Sequence, residues 1–454
     1  NDDPIKIISF NTADADYPQF TTTAAGIAEG AGVYNYGQFK FDEFENSSEL
    51  TTDEHFTSRL NLKSYFNFSD VYGELKFGGL YRTKEKKRDP DLNYYDYKAG
   101  IPYAQVQGDF LDKDYLFKKY TNGVGFMPDP KKVEDFFNAN KSSFKFNDED
   151  SQVDTEAERY KAEENTYAGY AQTKLQFGKV STIIGARYEQ IDVNYTANTI
   201  EFDTNGDLQP IKLTSAKRDF SFFLPMIHVK YALSEKTNLR FAWTNTFAKP
   251  NYFDLAPYRI VNREDEEVEF GNPDLDPTKS MNFDLMGEYY FSSVGVISAG
   301  LFMKQIKDFI YVRNYKSTSA DINGYEATQP VNGDEADLMG FELNLQQQLS
   351  FLPGFLSGFG VYANYTYSWS EAEIFSDPKS TTPRKINLPG QTEHVGNFAL
   401  SYENYGFSGR VSLHYAGAFI DEVRDKSDND RWYDARMQLD VSLSQRITPQ
   451  FQIF

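Results

Sequence analysis

Gly271-Asn272-Pro273-Asp274-Leu275-Asp276-Pro277-Thr278 is the stretch that decides how this chain is read. Upstream, Asn245-Thr246-Phe247-Ala248-Lys249-Pro250-Asn251-Tyr252 closes an alternating apolar run, and downstream Ser280 to Tyr290 opens another. A strand that ends in a Pro-stiffened polar loop and is followed by a second alternating strand is a hairpin with an elaborated tip. Pro250, Pro273 and Pro277 fix φ and keep the loop from adding to a neighbouring strand. Asn272, Asp274 and Asp276 can bond their own backbone in tight turns, and Gly271 permits a positive φ. On its residue types the loop is shaped to fold and not to bind.

Outward from this hairpin, period-two alternation recurs along most of the chain. Val71, Leu75, Phe77 and Tyr81 oppose Tyr72, Glu74, Lys76 and Arg82; Phe283, Leu285, Gly287 and Tyr289 oppose Asn282, Asp284 and Glu288. Phe407, Val411, Leu413 and Tyr415 oppose Ser408, Arg410, Ser412 and His414, and a helical period fits none of these runs. Short turns, as at Ser69-Asp70, Gly178-Lys179, Ser292-Ser293-Val294 and Asn404-Tyr405-Gly406, alternate with long polar segments such as 196–217, 253–279 and 313–337. That asymmetry is expected of a transmembrane barrel with short periplasmic turns and long outer loops, and not of a sandwich or propeller. The fold class is therefore all-β, a large antiparallel transmembrane β-barrel. About thirteen strands are legible between Thr52 and Gln445, with one or two before them. Plugged transporter barrels need about 22, so the wall is expected to be partial.

Composition agrees. The 454 residues are 16% aromatic, with 32 Tyr and 39 Phe, yet only 40% hydrophobic, and the mean hydropathy is −0.60. A barrel reconciles these values, because one face of each strand meets lipid, the other meets water, and rings gather at the interfaces. No apolar run is long enough for a transmembrane helix, and no signal peptide is visible at the start. There are no cysteines, which excludes disulfides, thiolate metal sites and cysteine nucleophiles. The net charge of −21 argues against nucleic acid as a partner.

The paired motifs resemble the barrel portion of the TonB-dependent outer-membrane transporters. The resemblance covers most of the chain and is most specific between Arg240 and Asp308: Arg240-Phe241-Ala242-Trp243, Lys249-Pro250-Asn251, the Gly-Asn-Pro-Asp-Leu-Asp-Pro-Thr run, and Gly300 to Asp308. Lys249 stands where the family often has Arg, which keeps the charge and loses the planar donor fork. The resemblance implies uptake of a scarce large solute, such as a metal chelate, oligosaccharide or peptide, through a barrel plugged by an N-terminal domain. It implies outer-membrane lipids as surroundings, the inner-membrane TonB complex as a partner where the plug region is present, and a Gram-negative outer membrane as the location. A surface lipoprotein covering the mouth is a further partner open to such a barrel.

Residues 1–454 are thus expected to be a barrel segment, with the N-terminal plug and last strands outside it. Residues 85–164 form a long outer segment read as a lid, holding a helical piece near Pro130 to Phe137. First contact with solute is assigned to loop aromatics and charges: Tyr94, Tyr95, Tyr97, Tyr252, Tyr258 and Arg259. Lys249, Pro250, Asn251, Gly271, Asn272, Pro273, Asp274 and Pro277 are assigned a structural role.

No enzyme chemistry is expected, and no cofactor or metal is assigned. His55, His228, His394 and His414 are scattered, and no nucleophile elbow or phosphate loop occurs. The acidic runs at Asp148-Glu149-Asp150 and Glu264-Asp265-Glu266-Glu267 could offer oxygens to Ca²⁺, but solvated acidic loops are the simpler reading. The rival to transport is a barrel that no longer transports and serves as scaffold or receptor in an outer-membrane complex.

Overall fold

The computed structural model describes residues 5–11, 19–24, 43–97, 105–111, 126–203, 207–262, 266–292, 294–376, 378, 380, 382–424 and 426–454. The chain divides into two units, residues 1–50 with 89–158, and residues 51–88 with 159–454.

The second unit is a wall of strands: β1 (Glu43–Phe68), β2 (Val71–Tyr97), β3 (Tyr160–Phe177), β4 (Val180–Thr199), β5 (Lys212–Ser234), β6 (Thr237–Ala248) and β7 (Thr278–Ser292). It continues through β8 (Gly295–Lys307), β9 (Glu335–Gln348), β10 (Phe359–Ile374), β11 (His394–Asn404), β12 (Phe407–Ala416), β13 (Arg436–Thr448) and β14 (Phe451–Ile453). The first residues of β1 and the last of β2 belong to the first unit. Each strand from β2 to β14 pairs antiparallel with the next. The thirteen strands legible between Thr52 and Gln445 are β1 to β13. The short β14 then bonds to β1 and closes the order into a barrel, where the sequence reading leaves the wall short of closure. The flanks of this seam, Thr51 to Phe68 on β1 and Arg436 to Leu443 on β13, are exposed at every residue.

Register settles which face is which. The row Lys174, Ile183, His228, Ala242, Asp284, Phe302 and Gly340 runs through directly opposed partners from β3 to β9. The same parity carries Glu74, Lys76, Arg82, Arg187, Arg240, Glu288, Glu342, Arg410 and Asp440 onto the one face. The opposite face shows Leu75, Phe77, Phe241, Leu285, Leu301, Phe398 and Val441 largely exposed, with Leu301 at 60%. An apolar band that wide is stable only against hydrocarbon, so the charged face is the lumen.

The strands outrun the bilayer. The 20 residues of β4 and 23 of β5 reach well beyond a hydrocarbon core of about 30 Å, at roughly 3.3 Å per residue. Segment 196–217, read as a loop, is therefore strand at both ends, and residues 200–211 connect β4 to β5. Above the membrane both faces meet water or protein, so pairing continues while the hydrophobic alternation that signals a strand fades. The tight turns are as read from sequence: Ser69, Gly178, Tyr405 and Gly406 take φ of 54°, 50°, 53° and 75°, the left-handed values such hairpin turns need. Ser293 lies outside the described residues.

In the first unit, Ile5–Asn11 pairs with Gln19–Ala24, and Tyr94 to Tyr97 pair with Phe144–Asn147. Helix α1 (Pro130–Ala139) starts where Pro130 to Phe137 are read as helical; Asp129 caps it by accepting from the Lys131 and Lys132 amides at 2.9 and 3.1 Å. Helix α2 (Asp148–Glu158) opens with Asp148, Glu149 and Asp150, and Asn147 accepts from the Asp150 amide at 3.2 Å. This acidic run is thus a helix start, where negative charge suits the dipole.

Candidate functional site in the outer lumen

Above the membrane the lumen face changes character. Ala162, Ile191, Val193, Tyr195, Phe220 and Phe222 have the parity of the polar residues below, yet they are buried in one cluster with Leu255 and Leu275. What buries them is the motif loop between β6 and β7, which folds inward. Leu275 is 0% exposed. Phe222 stacks on Phe247 with ring centroids 3.7 Å apart and planes within 4°.

Two charged anchors tie the loop to the wall. On one side Arg218 of β5 bonds Asp276 at 2.7 Å and Asp274 at 3.4 Å, so the carboxylates flanking Leu275 share one guanidinium. On the other, Lys249 donates to Glu164 of β3. Glu164 is 1% exposed and also accepts from Arg82 at 3.2 Å, the Tyr252 hydroxyl at 2.9 Å and the Thr166 hydroxyl at 3.1 Å. A buried carboxylate persists only when its oxygens are satisfied, and here two cations and two hydroxyls do so. Lys84 lies 5.2 Å from the centre of the Tyr252 ring.

Within the loop, Asn272 accepts from the Asp274 amide at 3.0 Å and donates to the Pro330 carbonyl at 3.0 Å. Asn332 accepts from the Asp276 amide at 2.8 Å and donates to its carbonyl at 2.9 Å. Gly271 is demanded by crowding: a Cβ there would sit 1.8 Å from the Ala256 carbonyl oxygen. Pro277 is buried and Pro273 half-buried, while Pro250 and Asn251 lead into the single turn Tyr252–Leu255.

The family model for "TonB dependent receptor-like, beta-barrel" matches residues 4–454. The chain belongs to the TonB-dependent receptor family. It is an outer-membrane β-barrel of a Gram-negative bacterium, and its apolar outer face suits contact with lipid. Among solved structures, similar folds include the ferric-catecholate import receptor Fiu from E. coli K12, at 13% identity and TM-score 0.55, covering 99% of this chain and 52% of that one. The ferric citrate transporter FecA in its unliganded form is 13% identical at TM-score 0.53, covering 95% and 50%. The siderophore receptor PiuA from Acinetobacter baumannii is 12% identical at TM-score 0.55, covering 88% and 50%. The chain therefore spans about half the length of these structures, and at such identity the likeness is one of fold. No curated protein sequence matches.

In this receptor barrel the residues singled out for first contact are divided between the two units. Tyr94, Tyr95 and Tyr97 stay together in the first unit: Tyr95 lies 4.9 Å from Phe137 and 5.2 Å from Phe146, and Tyr97 lies 4.7 Å from Phe144, centroid to centroid. Burial pushes the Tyr94 hydroxyl above its ordinary range, helped by its bond to Asp154, whose carboxyl burial also raises. Tyr252 reaches the Glu164 hub. Tyr258 is buried, stacks on Phe253 at 4.2 Å, and its hydroxyl is likewise pushed up by burial. Arg259 pairs with Asp321.

Sequence reasoning missed Glu164, Arg218 and the inward apolar patch. The available signal was Lys249 itself, a cation inside a shaped loop that needs a buried partner. No group of residues able to hold a metal ion occurs among the described residues. Glu264 and Asp265 lie outside them.

Proposed function

We propose that this barrel is the wall of an energised importer, which takes up a scarce large solute across the outer membrane with the TonB complex supplying the energy. The observation that carries the reading is the inward-folded motif loop on a charged lumen face, in a chain whose whole span matches the receptor family. A pore meant to leak ions would keep its mouth open. Here the mouth is narrowed by an anchored loop, which suits a passage opened on demand. The solute is a metal chelate, oligosaccharide, peptide or similar molecule. Of the aromatic and charged residues of the outer segments, Tyr94, Tyr95, Tyr252 and Arg259 are the proposed first contacts, while Tyr97 and Tyr258 are buried. Residues 85–164 are the proposed lid.

The test is uptake by cells that carry the full-length protein, using a panel of labelled chelates, oligosaccharides and peptides. Accumulation of one of them that disappears when TonB is deleted is the expected result. Binding or assembly that is indifferent to TonB would turn the reading toward a scaffold or receptor without transport.

A further inference from the structure

We infer that a cleft between two outer hairpins is an anion-binding site, fitted to a solute bearing carboxylate or phosphate groups. The hairpins are Ile310–Lys316 with Glu326–Asn332, inserted between β8 and β9, and Phe419–Glu422 with Arg431–Tyr433, between β12 and β13. They enclose a cavity of about 570 Å³ whose lining includes Lys316, Glu326, Arg424, Asp430 and Arg431. The lining thus carries three cations against two carboxylates, in a chain whose net charge is −21.

The acids here are already committed. Glu422 takes Arg424 at 2.9 Å and Arg431 at 3.0 Å on one oxygen, and the Asn314 amide at 3.3 Å on the other. Asn314 is itself held by donating to the Val423 carbonyl at 2.9 Å and accepting from Thr328 at 2.9 Å. Asp430 accepts from the Arg424 amide at 2.9 Å and from Arg384 at 2.5 Å. The charge of Asp430 is thereby offset by a third guanidinium, that of Arg384.

The cations keep capacity to spare. Arg431 is 61% exposed and spends one nitrogen on Glu422; among the described residues its remaining donors meet no protein acceptor. Arg424 is pinned by its backbone and its Glu422 contact, so its guanidinium is positioned before any ligand arrives. Two guanidiniums converging on one carboxylate oxygen, each with N–H groups left over, match an oxyanion group offering several lone pairs. Lys316, paired only with the exposed Glu326 among the described residues, adds charge at the rim.

As a statement about the solute, this rests on the import reading; as a statement about binding, it stands without it. Inorganic pyrophosphate is the probe, titrated calorimetrically into the detergent-solubilised full-length protein, with no TonB present. Saturable binding is expected, weakened at least tenfold by Arg431→Gln and abolished by the R424Q/R431Q double variant. Arg431→Lys, which keeps the charge and loses the fork, should fall between. Lys236→Gln, at a turn on the opposite rim, should leave binding unchanged. Loss of binding in Lys236→Gln equal to that in Arg431→Gln would mean bulk charge alone, and would overturn the site. So would an unaltered affinity in Arg431→Gln, or no binding at all to the native barrel. Arg431 is exposed enough for its variant to fold even where the double variant does not, and gel mobility of the unheated barrel reports folding. Failure of uptake with intact pyrophosphate binding would remove only the import reading.

Discussion

Replacing Lys249 by Ala should damage the barrel's outer lumen far more than replacing its partner Glu164 by Gln. The two side chains differ in exposure: Glu164 at 1%, Lys249 at 27% and Arg82 at 36%. Lys249→Ala leaves a carboxylate in the interior with Arg82 as its remaining cation. Breaking a buried pair in this way costs about 3–5 kcal/mol, and the low end is expected here because Arg82 still offsets part of the surviving charge. Glu164→Gln leaves cations that can turn to water. Tyr252 and Thr166 bond different oxygens of Glu164, so Gln accepts from one hydroxyl and donates to the other after it rotates, and the loss should be about 1–2 kcal/mol. Their combination, Glu164→Gln with Lys249→Ala, removes the buried charge and should recover most of the Lys249→Ala loss, giving strong non-additivity. The assay is hydrogen exchange across residues 249–279, alongside urea unfolding in micelles. An opening free energy lower by 3 kcal/mol raises exchange there about 150-fold, since 1.4 kcal/mol is about tenfold. Equal effects from the two single variants, or simple additivity, would refute the claim that a buried carboxylate anchors the loop.

Gly271→Ala should loosen the same loop by about 1–3 kcal/mol, because its Cβ would meet backbone at 1.8 Å; Gly79→Ala, with 3.5 Å to its nearest neighbour, should be near neutral, and limited proteolysis compares the two. Leu301→Arg on the outer face should cost about 2–4 kcal/mol in bilayers, while Ser298→Arg on the lumen face should cost little, as read by folding into vesicles. Asp254, in the turn after Lys249, has its carboxyl raised by burial, against the pull of its Asn251 contact. The folded loop therefore holds this proton more tightly than the unfolded chain does. Stability is present at low pH and is lost as pH rises from the ordinary aspartate range through the raised value. Exchange of residues 251–258 should accordingly quicken with rising pH beyond its intrinsic rate, and Asp254→Asn should flatten that excess.

How much of this was legible in the sequence follows from where the signals are local. Strands such as β7, with Phe283, Leu285 and Gly287 against Asn282 and Asp284, announce themselves because lipid lies on one side and water on the other. Turns such as Gly178-Lys179 follow from two residues. The upper parts of β4 and β5 were hidden, since Ile191, Val193, Phe220 and Phe222 pack against a loop from elsewhere in the chain and not against lipid. Lys249 and Glu164 are 85 residues apart, and Arg218 and Asp276 are 58 apart; nothing near any of them names its partner. The same holds for the anion cleft, whose Asn314 and Glu422 are 108 residues apart. The burial of Tyr258 against Phe253 depends on a fold that its neighbours do not reveal.

The assignment of faces underlies every step, and the absence of cysteine from the chain allows it to be measured cleanly. Single cysteines at Asp284, Leu285, Leu301, Phe302, Asn397 and Phe398 would be placed in bilayers and treated with a membrane-impermeant maleimide, and then with a bimane whose fluorescence brominated lipids quench. Positions 284, 302 and 397 should label from water and resist quenching, and positions 285, 301 and 398 should do the reverse. Uniform labelling from water at all six would contradict a barrel whose charged face is its lumen.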